Sequence, residues 1–241
     1  MDDTSRLAAR IEAAELTRLI KAFSASKAPD ALRTVNDKWH NRIGEFMASS
    51  AIEHGINLAC HSGCAWCCRS LRVDVTAPEA FRIKQWLDTH CTAEERATLT
   101  ETARDNAARA RNLSPVQYSQ ARITCMFLVD NRCSIYPVRP ATCRTYHSLD
   151  ANPCERKYVM PAMREGALVV RGLLLGGRAF LNAMLGALRK QRLDANTYEL
   201  AQTMTTLFTV SNAFVLWRQG KKPFGTPPPA DPPITEQAPT D

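Results

Sequence analysis

The sequence predicts a mainly α-helical fold: a helical single domain with a short β-hairpin and a cysteine-rich core. Apolar residues recur at helical intervals over most of the chain, Thr-x-x-Glu pairs mark two helix starts, and only one stretch is typical of a hairpin. For these 241 residues we predict one domain over residues 1–220. The Pro-rich segment 221–241 has too few apolar residues to bury a core, so we expect it to be disordered.

Four helices are predicted in the N-terminal half. Two follow from apolar side chains at helical spacing, and two begin with capping pairs, Thr76 with Glu79 and Thr92 with Glu95. The predicted ranges are residues 4–23, 29–56, 77–89 and 93–112. A short extended piece is expected over 71–75, before the first capping pair.

Two long helices are predicted in the C-terminal part, over residues 161–190 and 196–218, with Asn196 and Glu199 as a cap. The run 167–188 is apolar and long enough to cross a bilayer, but two arginines interrupt it. Because a central arginine costs several kcal/mol in a membrane, we predict a packed helix and no membrane span.

The cysteine count indicates a chemical role. The N-terminal segment is acidic and has no apolar signal region, so we expect a cytoplasmic protein, in which nine cysteines indicate metal binding or catalysis before disulfides. Lys and Arg outnumber Asp and Glu by 31 to 24, but metal-bound thiolates would offset much of that excess. The tryptophans are not spaced as a stacking platform, so we find no strong nucleic-acid signal.

The cysteines form two main groups. The first, CHSGCAWCC at residues 60–68, has the spacing C-x3-C-x2-C-C, and either a helix or a loop turning at Gly63 would bring its thiols together. The second extends from Cys125 to Cys143, and Cys154 follows it. The eight candidate metal ligands are Cys60, Cys64, Cys67, Cys68, Cys125, Cys133, Cys143 and Cys154.

The hairpin predicted over 123–136 constrains the second group. With a two-residue loop at Asp130 and Asn131, the side chains of Cys125 and Cys133 would point to opposite faces. With a three-residue loop they would share a face. A shared metal site therefore predicts the longer loop or a bulge.

The segment Arg139-Pro-Ala-Thr-Cys143-Arg144 predicts a helix start, with Pro140 in the first turn and Cys143 near exposed amides that favour a thiolate. Arg139 and Arg144 are candidate cofactor-binding residues, because they could donate to an anionic cluster or to a bound anion. Surface arginines beside a turn are the structural alternative.

The cysteine number leaves the metal open. Tetrahedral zinc and a cubic iron–sulfur cluster each take four protein ligands, so seven or eight thiolates overfill one such site. Adjacent side chains such as those of Cys67 and Cys68 tend to diverge, so they fit a polynuclear cluster or two neighbouring sites better than one small ion. We favour an iron–sulfur cluster, with zinc as the alternative.

The first three cysteines also match the C-x3-C-x-aromatic-C loop of radical S-adenosylmethionine enzymes. Those enzymes mount the loop on a barrel of alternating strands and helices, whereas the following 150 or so residues here are mostly helical. The match also leaves Cys68 and the second group unexplained, so we reject it.

The complete pattern, CHSGCAWCC followed by CMFLVDNRCSIYPVRPATCR, resembles the YkgJ-type cysteine-cluster family, a zinc- or iron-chelating domain. The similarity covers about residues 60–146 and implies that seven cysteines, through Cys143, are ligands. Flagellin lysine N-methylases carry a similar motif. This chain is short for such an enzyme and lacks a glycine-rich nucleotide loop.

Residues outside the main groups have simpler interpretations. Cys91 is expected to be a packed thiol, and His61 and His147 to lie beside ligands or be exposed. Three arginines seven residues apart, Arg164, Arg171 and Arg178, predict a solvated helix face or a stripe facing an anion.

Three functional hypotheses follow. The first is an iron–sulfur protein, with an unidentified redox partner, that transfers electrons or acts as an oxidoreductase. The second is a non-enzymatic zinc module that binds a protein partner. The third is a methyltransferase, by motif analogy alone. No catalytic residue and no oligomeric state can be assigned from the sequence.

Overall fold

The computed structural model describes residues 2–25, 28–161 and 166–225. Its helices are α1 (Asp3–Ala25), α2 (Pro29–Glu53), α3 (Ala77–His90), α4 (Ala93–Ala110), α5 (Pro115–Ala121), α6 (Ala141–Thr145), α7 (Asn152–Val159), α8 (Arg171–Lys190), α9 (Leu200–Thr209) and α10 (Ala213–Arg218). Its strands are β1 (Asp74–Thr76), β2 (Leu128–Val129), β3 (Arg132–Cys133) and β4 (Thr197–Glu199). The predicted mainly α-helical class is confirmed.

The first four predicted helices are found with small shifts at their ends, because their signals are local. Both capping pairs form. The Thr92 amide donates to Glu95 Oε2 over 2.8 Å, and the Glu95 amide donates to the Thr92 hydroxyl over 3.2 Å. At the start of α3, Glu79 Oε2 accepts hydrogen bonds from both the amide and the hydroxyl of Thr76.

The predicted helix over 196–218 is wrong at its start and in its middle. The chain forms β4, which pairs antiparallel with β1 and places Tyr198 opposite Val75, both buried. Glu199, not Asn196, caps α9 by accepting from the Gln202 amide over 2.8 Å. A break after α9 then separates it from α10. Pairing with β1 satisfies the backbone here, which a local helix signal cannot reveal.

Helix α8 begins ten residues later than predicted, since residues 166–170 are not helical and residues 162–165 lie outside the described part of the chain. Arg164 falls there. Of the other two arginines in the predicted stripe, Arg171 pairs with Asp2 over 2.6 Å and Arg178 is exposed. Two further helices, α5 and α7, were not predicted.

Most of the buried apolar side chains form one core cluster. Helix α1 packs along α8, α4 packs on α9, and α2 contacts α3, α6 and α8. Phe224, four residues past the predicted domain end, is 2% exposed and packs against the rings of Phe81 and Tyr198. The predicted disordered tail therefore begins with packed residues, and its part over 226–241 lies outside the described residues.

Within the described ranges, no helix combines the length and apolar character needed to cross a membrane.

Candidate metal centre

The first cysteine group lies in the loop between α2 and β1. The Cys64 amide donates to the His61 carbonyl over 3.1 Å, and Gly63 has a φ of 95°. Cys67 and Cys68 then begin a short 3-10 turn. Of the two alternatives that the sequence left open, the structure has the loop, with its turn at a backbone angle that favours glycine.

The second group includes the predicted hairpin of β2 and β3. Val129 pairs with Arg132, so the loop has two residues, Asp130 and Asn131, with φ values of 47° and 61°. Two successive positive φ angles are typical of the tight turns that join hairpin strands. The longer loop or bulge predicted from a shared site is therefore wrong.

Cys125 and Cys133 nevertheless line the same cavity. The reason is that Cys125 precedes the strand: the Leu128 amide donates to the Cys125 carbonyl over 3.0 Å and closes a turn there. The alternation of strand side chains, on which the expectation depended, does not extend back to Cys125.

Cys143 lies in the five-residue helix α6. Pro140 precedes this helix instead of occupying its first turn, which corrects the predicted position. The Ala141 amide donates to Glu79 Oε1 over 2.7 Å, and the Thr142 hydroxyl donates to the Asp74 carbonyl over 2.9 Å. These bonds attach α6 to the start of α3 and to β1.

One cavity of about 470 Å³ brings the two groups together. The cysteines that line it are Cys60, Cys64, Cys67, Cys68, Cys125, Cys133 and Cys143. The Cys125 amide donates to the Cys68 carbonyl over 2.7 Å and joins the groups. Apolar side chains such as Leu58, Val73 and Phe127 complete much of the wall. The fold thus places seven of the eight candidate ligands around one sheltered space.

Burial controls the protonation of these thiols. It raises the pKa of Cys125 to about 12 and the pKa of Cys143 well above its ordinary value. The pKa of Cys67 is also raised, first by its hydrogen bond with Cys68 and then by burial. These three thiols are therefore protonated in the metal-free protein at neutral pH, and an incoming metal must displace their protons.

Electrostatic effects reveal which thiols are neighbours. Desolvation raises the pKa of Cys60, and nearby thiols raise it further; the same holds for Cys143. The neighbours are Cys64, Cys67 and Cys154 around Cys60, and Cys125, Cys133 and Cys67 around Cys143. Cys67 influences both Cys60 and Cys143, so it lies between the two groups.

The thiols share the cavity without converging on one point. In the described part of the chain, no three histidine, cysteine or carboxylate side chains are placed so that they could hold a metal ion as they stand. The donor set itself fits a metal, because cysteine thiolates are the ligands of structural zinc and of iron–sulfur clusters.

Cys154 and Cys91 lie outside the cavity wall. Cys154, in α7, has its sulfur 4.0 Å from the Asp150 carbonyl oxygen. Burial raises its pKa, and the thiols of Cys64 and Cys67 add to the effect, so it borders the first group. Cys91 follows α3, and its charged neighbours include no cysteine of either group.

Arg139 and Arg144 both line the cavity. Burial raises the pKa of Cys133, and the charges of these two arginines oppose that rise. Arg144 donates to the Arg139 and Pro137 carbonyls over 2.9 and 2.6 Å, and these bonds stabilise the segment before α6. Arg139 stacks on Tyr136 at 4.0 Å, and its buried Nε has no hydrogen-bond partner among the described residues. It retains a donor for an anionic group.

The histidines have other partners. His147 is buried and uses both ring nitrogens: Nδ1 contacts the Thr145 carbonyl at 2.8 Å, and Nε2 accepts from the Val170 amide over 2.9 Å. His61 is exposed and contacts the Ala59 carbonyl. A third histidine, His40, contacts Glu79. Its position was missed, because nothing in the local sequence of α2 shows that α3 and α6 meet there.

The comparisons with known proteins agree with the cysteine pattern. Residues 59–160 match the model of the CxxCxxCC family. The match contains all eight candidate ligands, the hairpin and α6. No curated protein and no solved structure matches the chain. Residues 59–160 are therefore similar to the CxxCxxCC family, described as a putative zinc- or iron-chelating domain.

Proposed function

We propose that this protein binds an iron–sulfur cluster in its cysteine-lined cavity and uses it in electron transfer or a related redox reaction. The observation that carries the proposal is that seven cysteines from distant parts of the chain line one cavity. The family description, zinc- or iron-chelating, supports metal binding in general.

The number and placement of the thiols favour a cluster over one zinc ion. Tetrahedral zinc takes four ligands, with zinc–sulfur distances of about 2.3 Å, whereas seven thiols surround about 470 Å³ here. The adjacent Cys67 and Cys68 are better suited to different metal atoms than to one. A cluster held by four cysteines leaves three for a second site or for packing.

The surrounding residues meet the physical needs of such a cluster. Cys125 and Cys143 are partly buried, which limits the access of water to bound metal, and the charges of Arg139 and Arg144 offset those of the thiolates. A bound cluster supplies reversible one-electron chemistry. We place the protein in the reducing cytoplasm, with a redox protein as the electron partner.

A zinc module without enzymatic activity is the second candidate. It is favoured by the family description, which names zinc as well as iron, and by the donor set, since cysteine thiolates are the ligands of structural zinc sites. Zinc would then stabilise the fold, and the surface would bind a partner.

Anaerobic purification, followed by analysis of metals, acid-labile sulfide and visible absorbance, separates the two candidates. We expect a brown protein that contains iron and sulfide and bleaches on reduction. A colourless protein with stoichiometric zinc and no sulfide would contradict the cluster and support the zinc module. Failure to retain either metal after reconstitution would contradict both.

A further inference from the structure

The Glu79 carboxylate makes four polar contacts while its residue is only 1% exposed. Oε2 accepts from the Thr76 amide over 2.9 Å and from the Thr76 hydroxyl over 2.8 Å. Oε1 accepts from the Ala141 amide over 2.7 Å and lies 3.2 Å from His40 Nε2. Both carboxylate oxygens are therefore fully used.

The partners of Glu79 come from three parts of the fold. Thr76 precedes α3, His40 lies within α2, and Ala141 is the first residue of α6. One side chain thus joins two long helices that carry no candidate ligand to the short helix that carries Cys143. Only one residue separates the Ala141 amide from Cys143.

Helix α6 depends on such external contacts. It has five residues and no side-chain cap, and helices this short are not stable by themselves. The bond from Glu79 holds its first amide, and the bond from the Thr142 hydroxyl to the Asp74 carbonyl holds its next residue.

The chain contains a useful comparison for Glu79. Glu95 occupies the same position in the capping pair of α4 and is exposed, and among the described residues its carboxylate accepts a hydrogen bond from Thr92 alone. Glu79 is buried and has two further partners from distant elements. Because burying a carboxylate is unfavourable, a cap alone does not account for its placement.

We propose that Glu79 is a positioning residue for the metal centre: by accepting the Ala141 amide it holds α6, and with it Cys143, at the cavity wall. This inference rests on the proposed function in one respect, that Cys143 is a metal ligand. Glu79→Gln tests it, because an amide has one oxygen where the carboxylate has two. One oxygen cannot serve both the Thr76 and the Ala141 amides.

The test is a titration of the reduced full chain with Co²⁺, whose thiolate charge-transfer absorbance reports ligation by cysteine. We expect Glu79→Gln to bind Co²⁺ about 10- to 100-fold more weakly than the wild type and to alter this absorbance band. Loss of stability alone would leave the band of the folded protein unchanged.

Glu15→Gln is the matched control. Glu15 is 2% exposed and accepts from Arg42 and Arg18, but it joins α1 to α2 and does not line the cavity. We expect this variant to lose stability and keep the wild-type Co²⁺ affinity. Thr76→Ala removes the cap hydroxyl and leaves the contact between Glu79 and the Ala141 amide. This variant should also keep the wild-type Co²⁺ affinity.

The outcomes separate this inference from the proposed function. Wild-type affinity and spectrum in Glu79→Gln would overturn the inference alone, as would an equal loss of affinity in Glu15→Gln or Thr76→Ala. No thiolate absorbance in the wild type would overturn the proposed function and the inference with it. If Glu79→Gln does not fold, Glu79→Asp is used instead, because the shorter aspartate side chain cannot reach both Thr76 and Ala141. The expected and contradicting results are the same for this variant.

Discussion

The backbone amide of Cys125 donates to the carbonyl of Cys68 over 2.7 Å, so the two cysteine groups are joined through the main chain. Replacing a single thiol does not remove this bond. A cysteine variant therefore keeps the link between the two groups. If such a variant loses metal, the cause is the missing ligand and not a break in the cavity wall.

Cys64→Ser and Cys143→Ser should lose bound metal and much of the stability of the loaded protein, because the free energy of metal binding adds to that of folding. Metal analysis and urea unfolding measure the two effects. Cys91→Ser is the control, since Cys91 does not line the cavity. Equal metal loss in that variant would contradict the ligand assignment.

Arg139→Gln should weaken metal binding at neutral pH. The Arg139 charge opposes the rise that burial causes in the pKa values of Cys133 and Cys143, so its removal makes both thiols harder to deprotonate. We expect the pH midpoint of Co²⁺ binding to move upward by up to about one unit. Arg178→Gln, an exposed position on α8, should leave the midpoint unchanged; a matching shift there would point to a general charge effect.

The metal-free protein should lose stability at alkaline pH. Burial raises the pKa of Cys125 from 9.0 to about 12, so the unfolded chain releases this proton first. The contribution of the Cys125 thiol to the free energy of unfolding is therefore complete below about pH 9. It is lost as the pH rises through the pKa of the folded state. Urea midpoints across this range should fall less in Cys125→Ser, which has no thiol to ionise. A constant midpoint in the wild type would contradict burial of these thiols.

Gly177→Ala should disturb the site from outside. Thr145 is the last residue of α6, and a Cβ at Gly177 would lie only 2.8 Å from its Cβ. The two helices α8 and α6 must therefore move apart. We expect a loss of about 1–3 kcal/mol in the free energy of unfolding and weaker Co²⁺ binding.

Gly172→Ala, earlier in the same helix, is the control for Gly177→Ala. A Cβ there meets only a Thr4 methyl group at 3.9 Å, an ordinary contact. Its stability should be unchanged or higher by up to about 1 kcal/mol, because alanine favours helices. Destabilisation of both variants to the same extent would show that contact with α6 is not the cause.

Local sequence signals predicted the elements that depend on neighbours in the chain. The Thr92–Glu95 cap and the first four helices are examples, since hydrogen bonds three or four residues apart define them. Thr197 to Glu199 were predicted as helix and form a strand, because their backbone partners are in β1, more than a hundred residues away.

The sequence by itself determined the class of the fold, the cysteine spacing that resembles the CxxCxxCC family, and the identity of the candidate ligands, because these follow from residue type and short-range periodicity. Only the tertiary structure decided that Cys125 lies in a turn outside the strand, that Cys154 stays outside the cavity wall, and that Glu79 reaches α6. Each depends on contacts between segments far apart in sequence, which form when the whole core packs and leave no local pattern in the chain.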